Sequence, residues 1–258
     1  MQSTRTPITP WARKARVAGV PEPFLLVPET PPPDTAGGCG HRKGPIVRPY
    51  EKNPSAIYAE SFATVRREAR LSRFTPGMEA LAIRIIHACG MIDVADRLAF
   101  SDNASSAGRA ALDSGAPVLC DCEMVAAGII RRHLPRDNAV IVTLNDPAVP
   151  GLARQIGNTR SAAAVELWTD RLEGAVVAIG NAPTALFHLL ERLEAGAPKP
   201  ALILGFPVGF VGAAESKAEL ASDPRGCEFI ALRGRRGGSA MTSAAVNALA
   251  AGLREADA

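Results

Sequence analysis

Aromatic side chains are scarce in this chain: eight Phe, two Tyr and two Trp among 258 residues, 5% against a hydrophobic share of 47%. The core must therefore come from Ala, Val, Ile and Leu with recurrent glycine turns, the habit of an α/β protein packed through small residues. Cysteine is equally thin. Cys39, Cys89, Cys120, Cys122 and Cys227 make an odd number without a C-x-x-C pair. Neither a disulfide framework nor a metal site is indicated, and reduced, buried thiols in a cytoplasmic protein are expected. No uninterrupted apolar run reaches the ~18–20 residues that span a bilayer. The first residues carry charges but no compact apolar segment, so neither membrane insertion nor secretion is expected. A strong charge of one sign is missing too. Net charge is +3, with seven Lys/Arg against three Asp/Glu in residues 1–50 and 22 against 23 in the rest. The near-neutral body lacks a nucleic-acid footprint. G-x-S-x-G, H-E-x-x-H and Walker motifs are all absent, which argues against nucleophile-elbow hydrolysis, zincin chemistry and P-loop phosphoryl transfer.

What is present falls into two regions. Ten of the 21 prolines lie in the first 50 residues, including Pro31-Pro32-Pro33, and Gly37-Gly38-Cys39-Gly40 follows. Proline removes a backbone donor and glycine raises the entropy of ordering, so residues 1–48 are expected to form a largely flexible extension. Residues 49–258 read as one domain. Ser55 is expected to cap a helix carrying Ile57, Tyr58, Phe62 and Val65 on one side. Thr75 and Pro76 open the next. Short helices are expected around residues 93–100 and 105–114.

The second half repeats one grammar: a short apolar run, a turn of Gly, Asn, Asp, Ser or Thr, then a helix. The runs are residues 117–120, 140–143, 176–180, 202–205 and 229–232. Continuous rather than alternating apolar strands imply a sheet covered on both faces, and strands alternating with helices imply parallel pairing. The expected fold class is α/β: a three-layer α/β/α arrangement with a mostly parallel five-stranded sheet.

Within residues 78–90, Leu81, Ala82, Ile85 and Ile86 recur at helical spacing before Gly90 stops the helix. Arg84 and His87 share one face. A guanidinium beside an imidazole pushes the ring toward its neutral form unless an anion arrives between them. Spacing alone leaves two readings open: a surface arginine with a satisfied histidine, or a proton-transfer histidine flanked by an anion-binding arginine. In a parallel sheet the loops after the strands gather at one edge, where helix starts attract carboxylates or phosphates. Arg160, Asn181, Thr184 and Ser239 stand at such starts; singly each reads as an ordinary helix cap, and their convergence on one edge points to an anionic ligand. Gly205, Gly209 and Gly212 miss the G-x-G-x-x-G spacing, which disfavours a nucleotide-dependent oxidoreductase. Phe206 and Phe210 are expected to wall a flat ligand, Glu215-Ser216-Lys217 to form a solvated helix face, and His133 and His188 to be structural or surface groups.

Several stretches together resemble one family. They are Ile57-Tyr58-x-x-Ser61-Phe62, Leu71-Ser72-Arg73-Phe74, His87-Ala88-Cys89-Gly90, Gly157-Asn158-Thr159-Arg160-Ser161, Gly180-Asn181-Ala182-Pro183-Thr184, Pro207-Val208-Gly209-Phe210-Val211-Gly212 and Arg233-Gly234-x-x-Gly237-Gly238-Ser239. They resemble the precorrin-8X methylmutases of cobalamin biosynthesis from about residue 53 to about residue 249. The resemblance implies an isomerase that shifts a methyl group from C-11 to C-12 of precorrin-8X to give hydrogenobyrinate. It further implies no metal or organic cofactor, a homodimer, His87 as the proton-transfer residue, and Ser61 and Arg84 as substrate contacts. A flat, carboxylate-fringed ring asks for an apolar slot and anion-binding donors, and a methyl shift asks for a positioned proton donor. A non-catalytic tetrapyrrole carrier and a cobalt-precorrin-8 methylmutase are the alternatives.

Overall fold

A computed structural model of the protein describes residues 48–253. Residues 1–47 of the extension expected to be flexible, Cys39 and His41 among them, lie outside the described residues. Helices α1 (Pro54–Glu68), α2 (Pro76–Cys89) and α3 (Val94–Arg97) precede strand β1 (Leu98–Phe100). There follow α4 (Ala104–Asp113), β2 (Val118–Cys120), α5 (Glu123–Gly128), β3 (Val140–Val142), α6 (Val149–Gln155), α7 (Arg160–Glu166), β4 (Val176–Ile179), α8 (Pro183–Glu194), β5 (Leu202–Gly205), α9 (Ala213–Ser222), β6 (Phe229–Leu232) and α10 (Ser239–Ala251).

The sheet runs β1-β6-β5-β4-β2-β3. All five expected strands form, and they pair parallel with one another. The count of five is corrected to six by β1, which lies antiparallel on β6 in the register Leu98↔Leu232, Ala99↔Ala231, Phe100↔Ile230. The segment expected to be helical through residue 100 leaves the helix after Arg97. A three-residue strand is too short to show a period, and the free edge of β6 supplies its hydrogen-bonding partners.

Residues along the inner strands alternate between two apolar clusters. Val176 and Ala178 join Phe62 of α1, Ile83 of α2, Leu112 of α4, Val125 of α5 and Val246 of α10. Val177 and Ile179 join Val165 of α7, Leu186 and Leu189 of α8, and Leu220 of α9. Burial on both sides is what makes these strands read as uninterrupted apolar runs. Helix α10 is buried continuously from Met241 to Leu249. It takes that place because its neighbours are small: a Cβ on Gly128 would fall 2.4 Å from Ser243 Oγ.

The caps differ from expectation in one place. The side chain of Asn53, not Ser55, caps α1, accepting the Ala56 N–H at 3.2 Å. Pro54 occupies the first helical position and has no N–H, so the cap must precede it. Thr75 and Pro76 open α2, and Gly90 closes it in the left-handed region at φ 68°. Among the described residues no helix is long and apolar enough to cross a membrane.

Candidate active site

The apolar faces of α1 and α2 turn inward, and the seam between the helices brings together two side chains 26 residues apart. Ser61 Oγ lies 2.7 Å from His87 Nδ1. The rings of Tyr58 and Phe62 flank the imidazole with centroids 5.2 and 5.3 Å away. One ring nitrogen is thus held by a hydroxyl, and Nε2 remains for a ligand. Burial, with the nearby charge of Arg84, holds His87 below the ordinary histidine pKa, so the ring is neutral at pH 7.

His87 borders a cavity of about 470 Å³ whose wall also includes Tyr58, Arg84, Ala88, Met124, Gly128, Ile130, Ser239, Ala240, Ser243, Ala244 and Asn247. The wall is built from Tyr58 of α1, the last turns of α2, both ends of α5 with Ile130 just beyond it, and the first turns of α10. Helices α5 and α10 follow parallel strands β2 and β6, so the cavity reaches the carboxyl edge of the sheet. Arg84 is 8% exposed, and its Nε donates to the Gly252 carbonyl at 2.6 Å. It therefore anchors the end of α10 while placing a cation in the cavity wall. On the α1 side of His87 lies a second cavity, of about 310 Å³, bordered by Glu60, Ser61, Thr64 and Glu68. The two sides of the imidazole thus differ in charge.

The seven residues singled out in the sequence divide into two sets. Arg84, His87 and Ser239 border the larger cavity, and Ser61 touches His87. Ser239 Oγ lies 3.5 Å from the Cys122 thiol. The other three stand along the same carboxyl edge, beyond β3 and β4, and do not border that cavity. Arg160 is exposed and donates to Leu144 O at 3.1 Å and Asn145 Oδ1 at 3.3 Å. Thr184 Oγ1 accepts from Thr159 Oγ1 at 2.8 Å, and Asn181 is exposed.

The backbone amides leading into α8 already hold a carboxyl group. Asp121, directly after β2 and 2% exposed, accepts the N–H groups of Gly180 at 2.9 Å and of Asn181 and Ala182 at 2.8 Å. Burial raises its pKa while those three bonds favour the carboxylate. A ligand at this turn would meet the side chains of Asn181 and Thr184 rather than its amides.

Other expectations change. Phe206 is fully buried in the core, whereas Phe210 is 85% exposed with the Arg235 guanidinium 5.3 Å from its ring centroid, so the two do not form one wall. Ser216 and Lys217 are buried rather than solvated; only Glu215 faces out. His188, by contrast, has the structural role expected of it: its Nε2 meets Glu166 Oε1 at 2.6 Å and its Nδ1 meets Glu191 Oε2 at 3.2 Å, tying α8 to α7. Asn247 is not among the residues expected from the sequence. Its Oδ1 accepts the Ile130 N–H at 2.9 Å and its Nδ2 donates to Gly128 O at 3.0 Å, fixing the turn that forms one cavity wall. The available signal was a solitary amide in a helix otherwise made of small and apolar residues after its first two turns.

A sequence profile described as precorrin-8X methylmutase matches residues 56–251. The chain is 64% identical over 201 residues to a precorrin-8X methylmutase of Pseudomonas aeruginosa, covering 78% of this chain and 97% of that one. It is 60% identical to one from Sinorhizobium over 78% of this chain and 96% of that one. Identity to a cobalt-precorrin-8 methylmutase of Priestia megaterium is 35%, over 78% and 89% of the two chains. The solved precorrin-8X methyl mutase of Thermus thermophilus is similar in structure, with a TM-score of 0.67 and 38% identity, covering 75% of this chain and 95% of that chain.

Proposed function

The chain belongs to the precorrin-8X methylmutase family, and on that premise we propose that it is an isomerase of corrin biosynthesis that moves a methyl group of precorrin-8X from C-11 to C-12, giving hydrogenobyrinate. The observation that carries the mechanism is the Ser61–His87 pair beside the buried cation of Arg84. The reaction breaks the C-11–methyl bond and makes the C-12–methyl bond without changing the formula, so a proton lent to the ring is returned. By itself His87 is neutral at pH 7. A substrate carboxylate beside Arg84 offsets the repulsion between the two cations and favours the imidazolium. The charged ring donates Nδ1–H to Ser61 Oγ and presents Nε2–H to the macrocycle, drawing electrons from the carbon that receives the methyl group.

Charge favours one side of the imidazole for the substrate. The cavity with Arg84 suits a carboxylate fringe, and the one bearing Glu60 and Glu68 repels it. Arg160, Asn181, Thr184 and Ser239 supply further contacts for that fringe along the carboxyl edge. The 64% and 60% identities to precorrin-8X methylmutases, against 35% to the cobalt-precorrin-8 enzyme, support the metal-free substrate. We read residues 49–258 as the catalytic domain, three-layered as the apolar clusters against the inner strands suggest, working in the cytoplasm. We propose a homodimer, as the family resemblance implies, and the adjacent exposed apolar side chains of Phe210 and Val211 support it.

Mixing excess protein with precorrin-8X and following the visible spectrum through one turnover tests this reading. Conversion to hydrogenobyrinate is the expected result; a spectrum of bound, unrearranged substrate would favour the carrier instead. Arg84→Ala is expected to weaken substrate binding by about 10–100-fold, the worth of one charge-assisted hydrogen bond. Unchanged affinity in a titration would count against the anchor. Because the acid form of His87 is active, rate is lost as pH rises. The profile of kcat/KM, which reports the free protein, should fall through a pKa below the ordinary histidine value, and that of kcat at higher pH because bound carboxylate raises it. The reverse order of the two limbs would exclude the substrate-charged imidazole.

A further inference from the structure

Lys217 of α9 is fully buried, and its ammonium faces a backbone carbonyl rather than a carboxylate: Nζ donates to Arg236 O at 2.5 Å. Burying an ammonium against a neutral partner costs desolvation free energy, so the contact asks for a reason. Arg236 lies in the loop that joins β6 to α10. That loop is fastened to the one following β5 on either side of Arg236: Gly209 N–H donates to Arg235 O at 3.1 Å, and Gly238 N–H donates to Phe206 O at 2.8 Å. Gly237 comes so close to the end of β5 that a Cβ on it would lie 2.2 Å from Phe206 O. Ser239, the next residue after Gly238, borders the His87 cavity, as do Ser243 and Asn247 further along α10.

We propose that Lys217 is a positioning residue: its buried amine holds the 233–238 loop down on the end of the sheet and so sets Ser239 and the first turn of α10 against His87. This deepens the methylmutase reading and rests on it. Lys217 is not among the residues lining the His87 cavity, and it acts through the loop.

Lys217→Met removes the amine with little change of volume. The expected result is a fall in kcat of roughly 10–100-fold, the scale of a small misplacement of a reacting constellation, with the Kd for precorrin-8X little changed. In hydrogen–deuterium exchange the amides of Gly209 and Gly238 should lose protection while those of β4 and α8 keep theirs. Lys217→Gln, which keeps an N–H donor on a shorter neutral arm, should recover part of kcat. Wild-type kcat in folded Lys217→Met overturns the proposal. So does exchange that rises evenly across the domain with kcat lowered only by the unfolded fraction. If Lys217→Met does not fold, Lys217→Gln is read by the same two measurements, with intermediate kcat and local deprotection expected. If the wild-type protein itself does not convert precorrin-8X, the methylmutase reading fails, and exchange at Gly209 and Gly238 still decides whether Lys217 clamps the loop.

Discussion

Alanine at position 87 is expected to leave a folded protein that binds precorrin-8X and does not rearrange it, with kcat lower by roughly 10²–10⁴-fold, the usual worth of one positioned general acid. The size of the effect follows from the surroundings of the ring. Ser61 holds Nδ1 at 2.7 Å, and Tyr58 and Phe62 fix the ring plane, so His87 is orientated before substrate arrives. Removing it deletes a preset donor, and bulk water offers no replacement at that position. Binding survives because the charge anchor and the apolar wall belong to other residues, Arg84 and Met124 among them. Stability should change little or rise at acid pH. The folded-state pKa lies below the unfolded value, so native His87 opposes folding below about pH 6.5, where the unfolded state binds the proton more readily. Single-turnover absorbance and a substrate titration check both halves. Turnover within threefold (about 0.65 kcal/mol) of wild type would remove His87 from the reaction.

The largest stability effect is expected at Asp121, a residue with no part in the chemistry. Asp121→Ala strips the acceptor from the N–H groups of Gly180, Asn181 and Ala182, two of which belong to buried residues. Each buried, unsatisfied amide costs about 1–3 kcal/mol. Partial hydration of the turn brings the sum to roughly 3–5 kcal/mol, the range for breaking a buried charged contact. A domain of this kind is stable by only about 5–15 kcal/mol, so the urea midpoint should fall by a large fraction. Asp121→Asn should recover less than half of the loss, because its amide nitrogen turns a donor toward donors. A loss below about 1 kcal/mol in Asp121→Ala would show that the turn between β4 and α8 does not depend on the carboxylate.

The amino-acid order by itself determined the five parallel strands, the boundaries of α2 and the sharing of one helical face by Arg84 and His87. These are local matters. Apolar run length, a proline at the first helical position and a left-handed glycine act within a few residues of one another, so the signal is present in the string. The family resemblance rests on the same short stretches, and the precorrin-8X methylmutase match over residues 56–251 agrees with it. Tertiary structure alone decided the rest. Strand β1 exists because β6 has an edge to pair with, not because Leu98, Ala99 and Phe100 prefer extension. Asp121 meets the amides of Gly180, Asn181 and Ala182 because β2 lies beside β4, an adjacency that no spacing of residues encodes. Lys217 looks like one more charge on a helix surface until the loop after β6 folds across it. Ser61 finds His87 only when α1 settles on α2. Each of these contacts joins residues distant in the chain, and chain order carries no record of which distant groups will meet once the apolar faces have packed.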